Sequence, residues 1–431
     1  MRRTLLTSLT ALAVAAVVFT ASAAVLRSSR PPTREPSRVS PKTAEALVAR
    51  AQAAIAANPR ATRAYAALAS GSLQRVRETG DPAWYSKADG ATRRALALDP
   101  VNIEALDDRA TLANARHRFQ EGLRLARRSA ALEPDHFAPL GIAGDALIEL
   151  GRYDEGFALA AKSLALRPDP SSYSRASYAA ELRGDRDRAI ELMSLAVESS
   201  PPGSEGRAWT RVQLGLLRLG SGDTAGAERE MRTALGERPG DARATAGLAR
   251  IHAALGRLTD AAARYDRAIE TTPLPEYAAA LVEIDTARGD RARLRSDVEL
   301  LDAMERLQEA AGVRVDLDRA LIDADLRIPT AADIARARTA YATRPGIVGD
   351  QVLGWVLTRA GRCEEGLQYA RRSLRLGTRD ALLLFHAGAA AQCAGARTQA
   401  RRWLAASLAL NPRFSVRWAP VARTMLKEVS A

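Results

Sequence analysis

Side chains able to do chemistry are few in this chain and widely spaced. Cys363 and Cys393 are its only thiols, and neither has a nearby histidine in sequence to suggest a nucleophile or a metal site. The four histidines, His117, His136, His252 and His386, are scattered, as ordinary surface or interface residues are. Asp107-Asp108 and Glu364-Glu365 are acidic pairs at helical positions, a pattern more typical of solvated helix faces than of general acid and base. The sequence contains no G-x-x-x-x-G-K, H-E-x-x-H, G-x-S-x-G or C-x-x-C. The expectation is a protein that is not an enzyme, with no cofactor and no metal.

The elements that position these residues follow a ruler of prolines. Pro100, Pro134 and Pro168 stand 34 residues apart, and the same interval joins Pro239 to Pro273. Pro201, Pro345 and Pro412 close similar segments at slightly altered intervals. Within a period, an apolar pattern of helical spacing runs about twelve residues, breaks at a glycine, and resumes. The breaks fall at Gly151, Gly184, Gly222, Gly256, Gly289, Gly361 and Gly395. Glycine there ends a first helix in a left-handed conformation, and the proline stops the second helix because it lacks an amide donor. The period and its punctuation give an array of helix pairs.

Quoted by position, the units resemble the tetratricopeptide repeat family. The unit from Ala208 carries Leu214-Gly215, Gly222-Asp223, Ala227, Ala234 and Pro239. The unit from Ala242 carries Leu248, Gly256, Ala261, Tyr265, Ala268 and Pro273. Units from Phe137, Ile347 and Ala381 read alike, although Thr378 replaces one closing proline and the aromatic of the first helix is mostly absent. The resemblance implies an all-α fold, a right-handed α-solenoid of stacked antiparallel helix pairs. The array is expected over 44–273 and 346–412, with divergent repeats or a hinge at 274–345 and a capping helix at 413–431, where Trp418 and Leu426 cover the last repeat.

Several residue roles come with the resemblance. First helices of the family line a concave face, which gives Glu104, Asp107, Thr111, Asn114, Asp145, Trp209, Arg243, Arg250, Gln351, Trp355, Phe385 and Gln392 as groove residues. The groove would begin acidic, continue basic and end aromatic, suiting an extended peptide or a partner helix. The bland alternative is that Trp209 and Trp355 pack between units. On the same repeat frame, Cys363 follows a turn and Cys393 precedes the next one, so the two share an edge of neighbouring repeats. They are either a disulfide or two unrelated small buried residues.

The amino terminus carries a separate signal. Arg2-Arg3 precede an uncharged run from Thr4 to Leu26, with Ala21-Ser22-Ala23 as an A-x-A cleavage pattern. Residues 1–26 are therefore a signal peptide or a transmembrane anchor, and 27–43 a Pro-, Ser- and Arg-rich linker. Both readings place the array outside the cytoplasm of a bacterium. The net charge is +13, carried by arginine with only four lysines, as a GC-rich genome would write on solvated helix faces. Contact with an anionic membrane or an envelope polymer is consistent with it, whereas nucleic acid is not expected of an exported chain without basic stripes interleaved with aromatics. The functional expectation is a scaffold that binds a protein or peptide of the cell envelope in its concave groove. The alternative is an envelope assembly or transport accessory held on membrane or wall polymer by its basic surface.

Overall fold

The computed structural model describes residues 43–431, and every regular element within them is an α-helix. The apolar run and nearly all of the linker lie outside the described residues. A single helix, α1 (Ala44–Ala57), leads into ten helix pairs. The first five pairs are α2/α3 (Thr62–Thr79, Ala83–Leu98), α4/α5 (Ile103–Ala115, Phe119–Leu132), α6/α7 (Phe137–Glu149, Tyr153–Leu166), α8/α9 (Pro170–Leu182, Arg186–Ser199) and α10/α11 (Glu205–Gly220, Thr224–Glu237). The other five are α12/α13 (Ala242–Ala254, Leu258–Thr271), α14/α15 (Pro275–Arg288, Arg291–Ala310), α16/α17 (Asp316–Leu326, Ala331–Thr343), α18/α19 (Ile347–Arg359, Cys363–Ser373) and α20/α21 (Ala381–Cys393, Arg397–Leu410). A last helix, α22 (Trp418–Ser430), lies on the final pair. The fold is an α-solenoid of stacked antiparallel helix pairs.

Local chemistry explains the boundaries. Asn102, Asp223, Asp241 and Asp380 each accept a backbone N–H of the following first turn, at 2.7–3.0 Å, satisfying donors that a helix start leaves orphaned. Asp169 and Ser172 form a reciprocal capping box with Pro170 at the first helical position. All seven glycines that interrupt the apolar pattern have φ between 72° and 84°, the left-handed region that glycine enters without steric cost. The same turn between α4 and α5 is made by His117 at φ 55°, the one non-glycine residue with positive φ among the described residues.

Within a pair the helices cross where small residues leave room. A Cβ on Gly144 of α6 would come within 3.1 Å of the Gly156 carbonyl of α7, so a side chain here would push the pair apart. Between pairs, most consecutive first helices pack closely, whereas consecutive second helices meet through long side chains such as Arg127 with Glu155 and Arg338 with Glu365, which sets the first helices on the inner face of the curve. Residues 275–343 supply two full pairs, with α15 lengthened to 20 residues and α16 shortened to 11. The step from α15 to α16 is the loosest in the stack. There Arg319 joins Asp302 and Glu305 of α15 to Asp323 of its own helix.

The curvature brings the chain round onto itself. The Tyr153 hydroxyl accepts the Ile347 N–H at 2.6 Å, Arg118 donates to the Gly312 carbonyl, Arg186 and Thr378 link α8/α9 to the loop before α20, and Asn411 donates to the Leu219 carbonyl. His117 Nδ1 lies 2.7 Å from the Arg314 carbonyl oxygen, and Arg344 pairs with Glu149. These partners are 192 to 197 residues apart in sequence. A nearly constant offset means that one superhelical turn ends directly above the previous one. The loops before the first helices of the second turn sit on the turns between paired helices of the first.

Candidate functional site

Closure of the coil decides where the expected groove residues lie. Asp107 accepts from His136 Nε2 at 2.9 Å, Asn114 donates to the Ile142 carbonyl, and Thr111 is fully buried. Asp145 holds Arg175 through both carboxylate oxygens at 2.9 and 3.0 Å, and burial pushes its carboxyl up to about 6. Arg243 pairs with Glu205 at 3.0 Å and also donates to the Arg77 carbonyl, while Gln74 from α2 reaches the same Glu205. That network spans the interior from α2 to α10 and α12, filling space that an open superhelix would leave to a ligand. Glu104 is exposed, and Gln392 donates to Glu428 of α22 at 2.8 Å.

The aromatic end is core. The Trp355 ring stacks on His386 at 4.2 Å and meets Phe385 and Trp418, and its indole N–H donates to Asp325 at 2.7 Å. Trp355 is 3% exposed and Phe385 is completely buried. Gln351 is 3.1 Å from His386 Nδ1, and desolvation lowers the imidazole to about 3, so it is neutral at physiological pH. Trp209 is likewise buried. Of the two readings left open for the aromatic residues, Trp355 and Phe385 follow the second: they pack between units where successive first helices and α22 meet, and Trp209 is buried rather than facing solvent.

One cleft, of about 60 Å³, lies between the two turns. First-turn helices give Glu181, Arg186 and Arg250; the second turn gives Asp380, Asn411, Arg413 and Ser415. Arg250 is the single expected groove residue at this place. Burial drives the Glu181 carboxyl up to about 7, helped by the neighbouring Asp380, and raises Asp380 as well. The Arg186 and Arg250 guanidinium groups are lowered by the same desolvation. A space this small admits a few waters or one side chain. Chemically it is a compensated polar seam between turns.

The sulfurs of Cys363 and Cys393 are joined as a disulfide, with Cα atoms 5.2 Å apart, tying the start of α19 to the end of α20. Among the described residues no group of three or more potential ligands could hold a metal ion. No helix there is long and apolar enough to cross a membrane. Sequence reasoning missed Glu149, Glu205, Asp325, Arg344 and the inter-turn role of His117. A histidine standing where eight of the other nine turns have glycine was the one visible signal.

The tetratricopeptide repeat family pattern matches residues 218–284, which run from the end of α10 through most of α14. No curated protein matches the chain by sequence. Among solved structures, a chain of the APC/C Cut9–Hcn1 hetero-tetramer is similar at 13% identity and TM-score 0.44, covering 89% of this chain and 59% of its own length. The human IFIT1 dimer with PPP-AAAA shares 16% identity at TM-score 0.47, covering 73% of each chain. A tetratricopeptide repeat protein from Parabacteroides merdae shares 16% at TM-score 0.41, covering 60% of this chain and 92% of its own. The chain thus spans little more than half the length of the first of these. Residues 218–284, which match the tetratricopeptide repeat pattern, sit within an α-solenoid whose helix pairs continue on both sides of them.

Proposed function

We propose that this protein is a non-catalytic scaffold of the bacterial cell envelope that binds another protein through the outer face of a closed two-turn coil. Tetratricopeptide repeat proteins are in general protein-binding scaffolds, and the match at 218–284 supports that class. The observation that carries the choice of face is the filled interior. Arg243, Glu205 and Gln74 bridge the inside near one end, and Trp355, Phe385 and Trp418 pack together near the other. A partner entering the groove would have to break buried ion pairs, each costing about 3–5 kcal/mol when one member is stranded. The second helices, facing outward, require no such opening. The uncharged run Thr4 to Leu26 supports export or anchoring.

Photo-crosslinking amino acids at outer positions Thr233 and Thr398 and at the interior position Glu181, each in the full chain in living cells, test this. Capture of one and the same envelope protein from the outer positions only is the expected result. Capture from Glu181 alone would place the partner between the turns and overturn the outer-face reading.

A further inference from the structure

The outer surface is not uniform in charge. From Arg371 to Lys427 every charged residue is cationic except Asp380, and Asp380 is held inside the inter-turn cleft, where it caps α20. Elsewhere on the outer helices arginines come with carboxylates at short spacing. Arg232 pairs with Glu228, Arg188 with Glu191, and Arg152 with Glu155. On α21 that pattern stops, since the helix carries three arginines and no carboxylate, whereas around α19 Arg362 still pairs with Glu365 and Arg372 and Arg375 with Asp350. Arg371, Arg397, Arg401, Arg402 and Arg423 are all exposed, and none has a carboxylate within ion-pair distance among the described residues.

Their placement is contiguous. Arg371 of α19 donates to Gln399 of α21 at 2.6 Å, and Arg397 of α21 reaches the Glu428 carbonyl of α22. Arg397 and Arg401 lie one helical turn apart. The Arg402 guanidinium lies 5.6 Å from the centre of the Trp403 ring, and Arg423 is fixed on the Pro412 carbonyl at 2.6 Å. Several of these exposed guanidinium groups are therefore anchored by a neighbouring polar group. Three adjacent helices of 11 to 14 residues give a face on the order of 20 Å across.

We propose that this arginine face docks an acidic segment of the partner protein, rich in Asp or Glu; the proposal rests on the scaffold reading above and names its surface. The planar guanidinium, with five donors in a fixed fork, matches carboxylates bidentately. Nucleic acid fits less well because Trp403, Phe414 and Trp418 are buried and offer no exposed ring for base stacking. A bilayer fits less well because none of the large exposed hydrophobic side chains among the described residues falls within 371–427.

The test uses the whole chain and a short fluorescent poly-glutamate peptide at low salt. Arg401→Glu with Arg402→Glu is expected to weaken binding about a hundredfold, near tenfold per reversed charge. Arg401→Gln with Arg402→Gln is expected to weaken it about tenfold, and Arg229→Glu on the outer face of α11 to leave it unchanged. Equal loss with Arg229→Glu, or no loss with either double variant, overturns the proposal. So does tighter, arginine-dependent binding of phosphatidylglycerol vesicles or of a DNA duplex, which would assign the face to that polyanion. In-cell crosslinking from Thr233 separates the two readings: capture that persists in Arg401→Glu/Arg402→Glu while the parent fails to bind the peptide leaves the scaffold standing without this face. Surface substitutions of this kind alter folding little, and the unchanged Arg229→Glu variant controls for it.

Discussion

Single residues here are governed by desolvation. Asp108 is 4% exposed, and its carboxyl accepts from Ser70 at 2.5 Å, yet burial outweighs that bond and pushes the group up to about 7. A carboxyl raised in the folded state binds more protons folded than unfolded between about pH 4 and pH 7, so its share of stability is complete below that window and is lost as pH rises through 7. Asp108→Asn should therefore match the parent at pH 4 and exceed it at pH 8, by on the order of 3 kcal/mol in urea unfolding. An identical pH dependence in both proteins would mean that Asp108 is charged in the fold. The residue scale is also where the sequence spoke least clearly. Trp355 has the same type and spacing whether it anchors a peptide or stacks on His386; only the distance of 4.2 Å between the rings distinguishes them.

At the scale of elements, the turns between paired helices carry two loads that composition does not separate. Gly184 and Gly256 share the left-handed conformation, at φ 76° and 78°. A Cβ on Gly256 would meet open space, whereas one on Gly184 would collide with the Gly377 carbonyl of the turn above. Gly256→Ala should cost about 1 kcal/mol, the backbone penalty alone. Gly184→Ala should cost at least 1 to 2 kcal/mol more, because backbone must shift to admit the methyl group. Equal losses in thermal denaturation would show that the turns do not touch in solution. Helix pairs, their caps and their glycine turns were legible in the sequence because each is set by contacts within about 34 residues. The place of His117 was not, since its partner is the Arg314 carbonyl, 197 residues away.

At the scale of the whole molecule, stability comes from neighbour-to-neighbour stacking plus a second set of bonds between turns, which an open solenoid lacks. Arg344 is 3% exposed, pairs with Glu149 and lies 5.6 Å from the Phe119 ring. Arg344→Ala strands a buried carboxylate and should cost about 3–5 kcal/mol, with a larger radius of gyration in small-angle scattering as the turns part. Replacing both members with methionine should recover most of the stability and the compact radius. An unchanged radius in Arg344→Ala would show that neighbour stacking alone sets the curvature. The loose step from α15 to α16, carried by Arg319, is where such an opening would concentrate.

Sequence alone determined the helix pairs, the glycine turns and the excess of arginine, because periodicity, capping chemistry and charge are local properties of the chain. It did not determine the curvature. How far each pair rotates on the last depends on the fit of many side chains at once, and a small change per pair accumulates over the array. Only the tertiary structure decided that the turns meet, that the inner residues are buried against one another, and that the unbalanced arginines gather on one outer face.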